Sequence, residues 1–416
     1  MKTKILICTL GLLTSLANAQ ADTTLFKRQS VDSSKKNLNM DAVYNRPFLQ
    51  SRSSKVALGG YTEANWQHLG SDGVSLGHQF QMRRMSIFLS SSISRHIKFL
   101  TEIEFEKDPD ELLEGGSPEV GVEYAAMDME LHPLLNLRGG IILNPIGAFN
   151  QNHDGPKWEF VDRPIAATQM LPATWQNAGF GLYGKRYSKR GMLGYEIYAT
   201  GGFDNSIIDN EEGRTFLAAS HENAARFATT SNGQPLITAK IAGRQNQWGE
   251  MGVSYMGGVY NTTTQDGLVV DAPRKLQVLA IDWNSTIPHL KTTVVGEWAW
   301  IFLQLPHAYL ESYGNRQQGG FLDIIQPVYQ GTVAGWRNAT LNLALRSEYV
   351  DWNVGNFHDI KGTKGDELVS FVPAVSFRPN PQTVLRLNYR YQKHQDLFRN
   401  NPSYTSGWQL GFATYF

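Results

Sequence analysis

The sequence predicts an all-β fold, a transmembrane antiparallel β-barrel of sixteen strands, and three observations lead there. The last nine residues, Trp408-Gln-Leu-Gly-Phe-Ala-Thr-Tyr-Phe416, place Trp408, Leu410, Phe412 and Phe416 on one side of a two-residue repeat. From Lys55 onward, period-two segments recur, joined by links that alternate between short and long. The chain is only 41% hydrophobic yet carries 39 Gly, 17 Tyr, 20 Phe and 10 Trp. Strands that give half their residues to a wet lumen and set aromatics at both interfaces have this composition.

The front of the chain has the form of a secretory signal peptide over 1–19. Lys2 and Lys4 precede the apolar run Ile5–Leu16, and Ala17-Asn18-Ala19 supplies a small-x-small cleavage site. The only cysteine, Cys8, lies inside it, so cleavage leaves no thiol for a disulfide, a nucleophile or a metal. Losing Lys2 and Lys4 from 38 basic residues against 38 acidic ones leaves a net charge of about −2, without the basic excess of a nucleic-acid binder. Residues 20–54 are rich in Ser, Asp, Lys and Asn and read as a periplasmic N-terminal tail, or an extra strand tucked below the barrel, with 55–416 as the barrel domain.

Sixteen strands fall near 55–66, 79–92, 95–106, 121–131, 134–143, 177–186, 191–203, 236–244, 247–260, 274–284, 289–302, 321–330, 338–352, 367–378, 382–393 and 405–416. In Val384–Lys393, Leu385, Leu387, Tyr389 and Tyr391 share one face, and Arg386, Asn388, Arg390 and Gln392 the other. Ile97–Glu106 and Leu341–Tyr349 repeat the device. A charge facing lipid at mid-bilayer costs about 2–4 kcal/mol, so the charged faces point into a wet interior. A soluble sandwich would show the same alternation; the links separate the two. His132-Pro133, Tyr187–Arg190, Ser285–Pro288 and Pro379–Pro381 are tight turns. The links near 67–78, 107–120, 144–176, 204–235, 261–273, 303–320, 353–366 and 394–404 are long and polar. Short periplasmic turns and long outer loops give an even count with both termini at one rim. Sixteen strands leave an aqueous channel.

Parity assigns basic lumen positions to Arg84, Lys98, Arg138, Lys185, Arg346, Arg386 and Arg390. It assigns acidic ones to Glu63, Glu102, Glu104, Glu106, Asp128, Glu130, Glu196, Glu250, Glu297 and Glu348. The third long link carries His153, Asp154, Lys157, Glu159, Asp162 and Arg163, with Trp158, Phe160, Met170, Leu171 and Trp175 to pin it to a wall. It reads as a constriction loop, or else as a loop held over the rim. The mixed charges form no clean anion ladder. The ten histidines show no metal-ligand spacing, and no cofactor is expected. The acidic run Glu106–Glu114 reads as a solvated loop.

From the second strand onward the residues resemble the phosphate-selective porin O and P family. Carrying the resemblance are Arg83-Arg84, Leu137-Arg138-Gly139-Gly140, Pro145-Ile146-Gly147, Glu159–Pro164 with Arg163, Leu171-Pro172 and Gly179-Phe180-Gly181. It is tightest over 79–203. The terminal Phe416 resembles the signal by which the barrel-assembly machinery recognises outer-membrane barrels, although Thr414 departs from that pattern. The resemblance implies a sixteen-stranded, trimeric channel in a Gram-negative outer membrane, with the third loop folded inward. Its partners would be lipid and small hydrophilic or anionic solutes, phosphate among them. Two other classes compete: a barrel enzyme (lipase or protease), for which Ser92 and His96 are candidates without a nucleophile motif, and an adhesive barrel binding through the loop at 204–235.

Overall fold

In the computed structural model, which describes residues 37–50, 55–106, 119–221, 226–228, 233–306, 309, 311–358 and 361–416, the chain forms one closed antiparallel barrel. Its sixteen strands are β1 (Val56–Ser71), β2 (Val74–Ser92), β3 (Ile97–Glu106), β4 (Glu119–His132), β5 (Leu135–Leu143), β6 (Gln176–Tyr187), β7 (Gly191–Thr200), β8 (Leu236–Gln245), β9 (Gly249–Val259), β10 (Lys275–Thr286), β11 (Thr293–Leu303), β12 (Arg316–Val333), β13 (Trp336–Asp351), β14 (Glu367–Asn380), β15 (Thr383–His394) and β16 (Ser403–Tyr415). Each pairs with its neighbours in sequence, and β1 pairs with β16 through Tyr61↔Tyr415 to Ser71↔Thr405. Phe416 finishes the seam, donating its N–H to the Gly60 carbonyl (3.0 Å) and accepting the Gly60 N–H (3.1 Å). Closure leaves no edge, so every strand's backbone polar groups are met within the sheet.

Alternation sets the two faces. Leu343, Leu345, Leu385, Leu387, Leu410 and Phe412 are exposed on the outer wall, while Arg346, Arg386 and Asn388 are buried inside. The first link departs from expectation. Residues 67–78 are not a loop: β1 and β2 extend to a two-residue turn at Asp72-Gly73, with φ of 49° and 83°. Asp-Gly is the dipeptide such a turn requires. Residues 1–19 and 107–118 lie outside the described residues, and with them the signal peptide and most of the acidic run.

The interior is not wet throughout. On β8–β11 the inner face of the long-loop half is apolar: Leu236, Met256, Leu276, Val278, Ala280, Ala299 and Ile301 are buried. Ile165, Met170, Leu171 and Trp175 of the link between β5 and β6 pack on them, with Phe203, Ile207 and Leu217 of the link between β7 and β8. The inner face is apolar because folded loops cover it. Burying each large side chain contributes about 1.5–3 kcal/mol.

Residues 37–50 also lie inside the barrel rather than hanging below it. Leu38 and Met40 pack on Tyr183, Met192 and Ala242. The Asn39 N–H meets Glu250 (2.9 Å), Asp41 pairs with Lys185, and the Tyr44 hydroxyl donates to Asp128 (2.7 Å). Arg46 is fully buried. Its guanidinium donates to Asp154 through Nε (2.9 Å) and Nη2 (2.7 Å), reaches Glu102 at 2.7 Å, and lies 3.6 Å over the Phe88 ring. Lys185 and Glu250 sit beside the short turns after β6 and before β9, which puts the segment in the short-turn half of the lumen.

Two substitutions test this account. Replacing Leu387 with Arg, on the outer wall, lowers the stability of the membrane-inserted barrel by about 2–4 kcal/mol in urea titrations. Arg46→Ala removes the buried cation that Glu102 and Asp154 share and costs about 3–5 kcal/mol in the same titration.

Candidate pore constriction

Irregular chain inside a barrel has backbone groups that no strand satisfies, and leaving one unpaired while buried costs about 1–3 kcal/mol. The link 144–175 meets this demand with side chains from the facing wall. Glu297 accepts the N–H groups of Ala148 (2.7 Å) and Phe149 (3.0 Å), Asn388 that of Val161 (3.1 Å), and Glu348 that of Ile165 (2.7 Å). Donors answer the carbonyls. Lys240 reaches Gly147 (2.7 Å), Arg346 reaches Asp162 (2.8 Å), and Arg386 reaches Gly155 (3.2 Å) and Phe160 (2.7 Å). Gly147 permits the first capture: its φ is +69°, and a Cβ there would meet a Glu297 carboxylate oxygen at 2.3 Å. The link leaves β5, enters β6 and is fastened to β11, β13 and β15, so it crosses the lumen. Aromatics add to the fixing: Trp158 stands 5.0 Å from Phe149 and 6.0 Å from Phe321, and Arg346 lies 4.3 Å over Phe160.

The loop's own charges are engaged. Asp154 is held by Arg46 and by Lys157 at 3.1 Å. Glu159 accepts from Arg378 (2.7 Å) and from Ser376. Asp162 is shared by Arg390 (2.9 Å), Arg83 and the Gln409 amide (2.6 Å), and Arg163 faces Glu104 at 3.4 Å. Burial by itself would raise the Asp162 carboxyl, but Arg390 and Arg83 hold it well below the usual carboxylate range. Arg46 and Lys157 do the same for Asp154 against a similar burial penalty.

Of the positions that parity assigned to the pore wall, Arg84, Lys98, Glu102, Glu104, Arg138, Arg346, Glu348 and Arg386 all point inward, but they are covered rather than open to water. Glu102 is 0% exposed and Arg346 1%. They sit under the loop and under residues 37–50, and most have an opposite charge in contact: Arg346 with Asp323, Arg138 with Asp128, Lys98 with Glu130. Arg390 keeps more contact with the lumen, its side chain 17% exposed, while Arg83 at 11% is covered about as well as Arg84 at 10%.

Strict alternation missed several residues. Arg83 and Glu123 occupy bulges, where β2 pairs Glu63↔Arg84 then Ala64↔Met82, and β4 pairs Glu102↔Tyr124 then Ile103↔Val122. Each extra residue turns inward beside its neighbour. Arg46 lay in a segment without periodicity. Asp282, Asp323 and Lys240 were legible from parity and were not singled out. The fold also brings Glu102, Glu104 and His153 together, a grouping that no local spacing announces. His96, once a candidate base for Ser92, sets Nδ1 against the Glu130 carbonyl oxygen at 3.0 Å.

One strip of wall carries a run of side-chain amides next to charged groups. An amide belt crosses four adjacent strands in the long-loop half: Asn388 donates to Gln409 (2.8 Å), Gln409 to Gln67 (3.1 Å), and Gln67 to Gln79 (2.6 Å). Arg83, Asp162 and Arg390 come next. A cavity of ≈ 300 Å³ lies between the loop and β10–β14, lined by Lys157, Glu159, Asn284, Thr340, Asn342 and Arg378 and by the apolar Trp158, Val295, Ile325 and Pro327. Asn284 and Thr340 lie close to short turns, so this cavity belongs to the short-turn end.

No family model matches the chain. An uncharacterized protein of Aquifex aeolicus (strain VF5) is 33% identical over 150 residues, which is 35% of this chain and 32% of that relative's length. Solved structures agree in fold at low identity. An anion-selective porin from Comamonas acidovorans has a TM-score of 0.54 at 12% identity, over 87% of this chain and 99% of its own. The outer-membrane channel DcaP of Acinetobacter baumannii gives 0.54 at 12%, over 87% and 97%. Salmonella typhi OmpF gives 0.52 at 11%, over 87% and 98%. The chain thus shares the sixteen-stranded barrel architecture of outer-membrane porins.

Proposed function

We propose that this chain is an outer-membrane porin through which small hydrophilic solutes diffuse passively, in a Gram-negative bacterium and after removal of residues 1–19. The observation that carries the reading is the one-sided lumen. Apolar loop packing fills the side along β8–β11, while a polar strip runs from the amide belt past Arg83, Asp162 and Arg390 to the cavity beside Arg378. In this reading a solute passing the strip exchanges part of its water hydrogen bonds for those of the charges and amides there. The short-turn rim, with residues 37–50, faces the periplasm in this reading. Phe416 presents the chain to the barrel-assembly machinery, and the resemblance over 79–203 extends the proposal to a homotrimer.

Anions, phosphate among them, are the favoured solutes. Two guanidiniums share the single carboxylate of Asp162, which leaves one uncompensated positive charge beside the strip. Most other inward charges are matched, so the selectivity is weak.

Single-channel recording in planar bilayers across a potassium chloride gradient tests both statements. Discrete steps with a reversal potential of anion sign, reduced by added phosphate, are the expected result, and Arg390→Gln moves the reversal potential toward zero. Arg386→Ala, which frees loop carbonyls, gives noisier steps. A correctly folded barrel that does not conduct would overturn the reading and leave the enzyme and adhesin classes.

A further inference from the structure

We propose that Glu102, Glu104 and His153 form a binding site for one divalent transition-metal ion, of the zinc class, which fastens the constriction loop to the barrel wall. Among the described residues these three offer ligand atoms that all lie within 4.8 Å of one another, and all three residues are buried. Glu102 and Glu104 come from β3 and His153 from the loop, so the site joins two parts of the fold distant in sequence.

Unpartnered atoms turn this cluster into a site. His153 Nδ1 lies 2.8 Å from the Asn150 carbonyl oxygen, which can only accept, so Nδ1 carries a hydrogen, and in the neutral ring Nε2 is the nitrogen that presents a lone pair. Nε2 has no hydrogen-bond partner, is fully buried, and faces Glu102 Oε1 at 3.5 Å; that oxygen has no partner either. With the ring neutral, two buried acceptors face each other, and a cation between them satisfies both. A shared proton would draw the heavy atoms to about 2.7–3.2 Å. Two ligands on one tetrahedral zinc, with bonds of about 2.0–2.1 Å, stand about 3.4 Å apart. The observed separation matches the metal. A carbonyl that fixes the imidazole tautomer is also the usual second contact of a ligating histidine.

The surroundings agree. Glu123, inserted by the β4 bulge, has a buried Oε2 with no hydrogen-bond partner and lies within electrostatic reach of His153 and Glu104. Arg46 holds the other oxygen of Glu102, while Arg84 and Arg163 lie 3.2 and 3.4 Å from Glu104. Imidazole with carboxylate oxygens suits zinc, copper, nickel or cobalt over calcium or magnesium.

The test uses the folded full chain in detergent, without an affinity tag and stripped with a chelator. Its background is His68→Ala/His78→Ala, because those exposed rings stack at 4.3 Å and would also take up zinc. Titration calorimetry with zinc chloride should give one saturable equivalent per chain and a rise in the unfolding midpoint that magnesium does not produce. His153→Ala should abolish the uptake and Glu102→Gln weaken it at least about tenfold. Heat-modifiable migration in gels reports whether each variant folds. If His153→Ala does not fold, cobalt(II) bound to the parent protein decides, since it must show the intense absorption of a tetrahedral nitrogen–oxygen site. Absence of saturable uptake, uptake unchanged in folded His153→Ala, or an octahedral cobalt spectrum overturns the proposal. Binding is read without conductance, so it stands or falls apart from the channel reading.

Discussion

Everything inside this barrel depends on one demand: the backbone of the inward-folded loop must find hydrogen-bond partners that no sheet provides. The wall meets that demand with ionisable side chains. Glu297, Glu348 and Asn388 accept from the loop, and Lys240, Arg346 and Arg386 donate to it. These are the residues that a reading of lumen charges would credit with choosing solutes. They act first as backbone partners, and the three cations among them also face a wall carboxylate: Lys240 with Asp282, Arg346 with Asp323 and Arg386 with Glu63. In the proposed channel, the groups left to meet a solute are Arg390 and the residues around the short-turn cavity.

The N-terminal segment extends the same logic. Arg46 holds a wall carboxylate and a loop carboxylate at once, and Tyr44 meets Asp128 beneath them. Loop, wall and segment thus form one polar network with few lone members, and such a network is stable only when nearly complete. The apolar packing against β8–β11 carries the other side of the loop, which is why the lumen divides into a filled half and a polar half.

The barrel was legible because its period is two and its strands recur. Every barrel strand from Val56 to Tyr415 has a counterpart among the sixteen segments, and the terminal aromatic announced the seam. The short hairpin of Thr264–Gln265 with Leu268–Val269, inside the link 261–273, did not show. What escaped notice had physical reasons. At the hairpin of β1 and β2, polar residues such as Gln67 and Gln79 looked like loop, although Asp72-Gly73 marked the turn. On β10 and β11, Leu276, Val278, Ala299 and Ile301 face inward, so alternation there could not report a wet side. Residues 37–50 carry no period because they form short helical turns bound to the wall. His153 and Glu102 meet only through tertiary structure.

The bulges at Arg83 and Glu123 bear on how densely a barrel can crowd its interior. A regular strand sends inward one side chain about every 6.6 Å. At Arg83-Arg84 and at Glu123-Tyr124 two consecutive residues turn inward, from Cα atoms about 3.8 Å apart. The pairing on either side of each inserted residue keeps its faces, so Gln81 stays inside and Met82 outside. Each bulge therefore seats an extra ionisable group in the lumen while the residues on either side keep their inside–outside order.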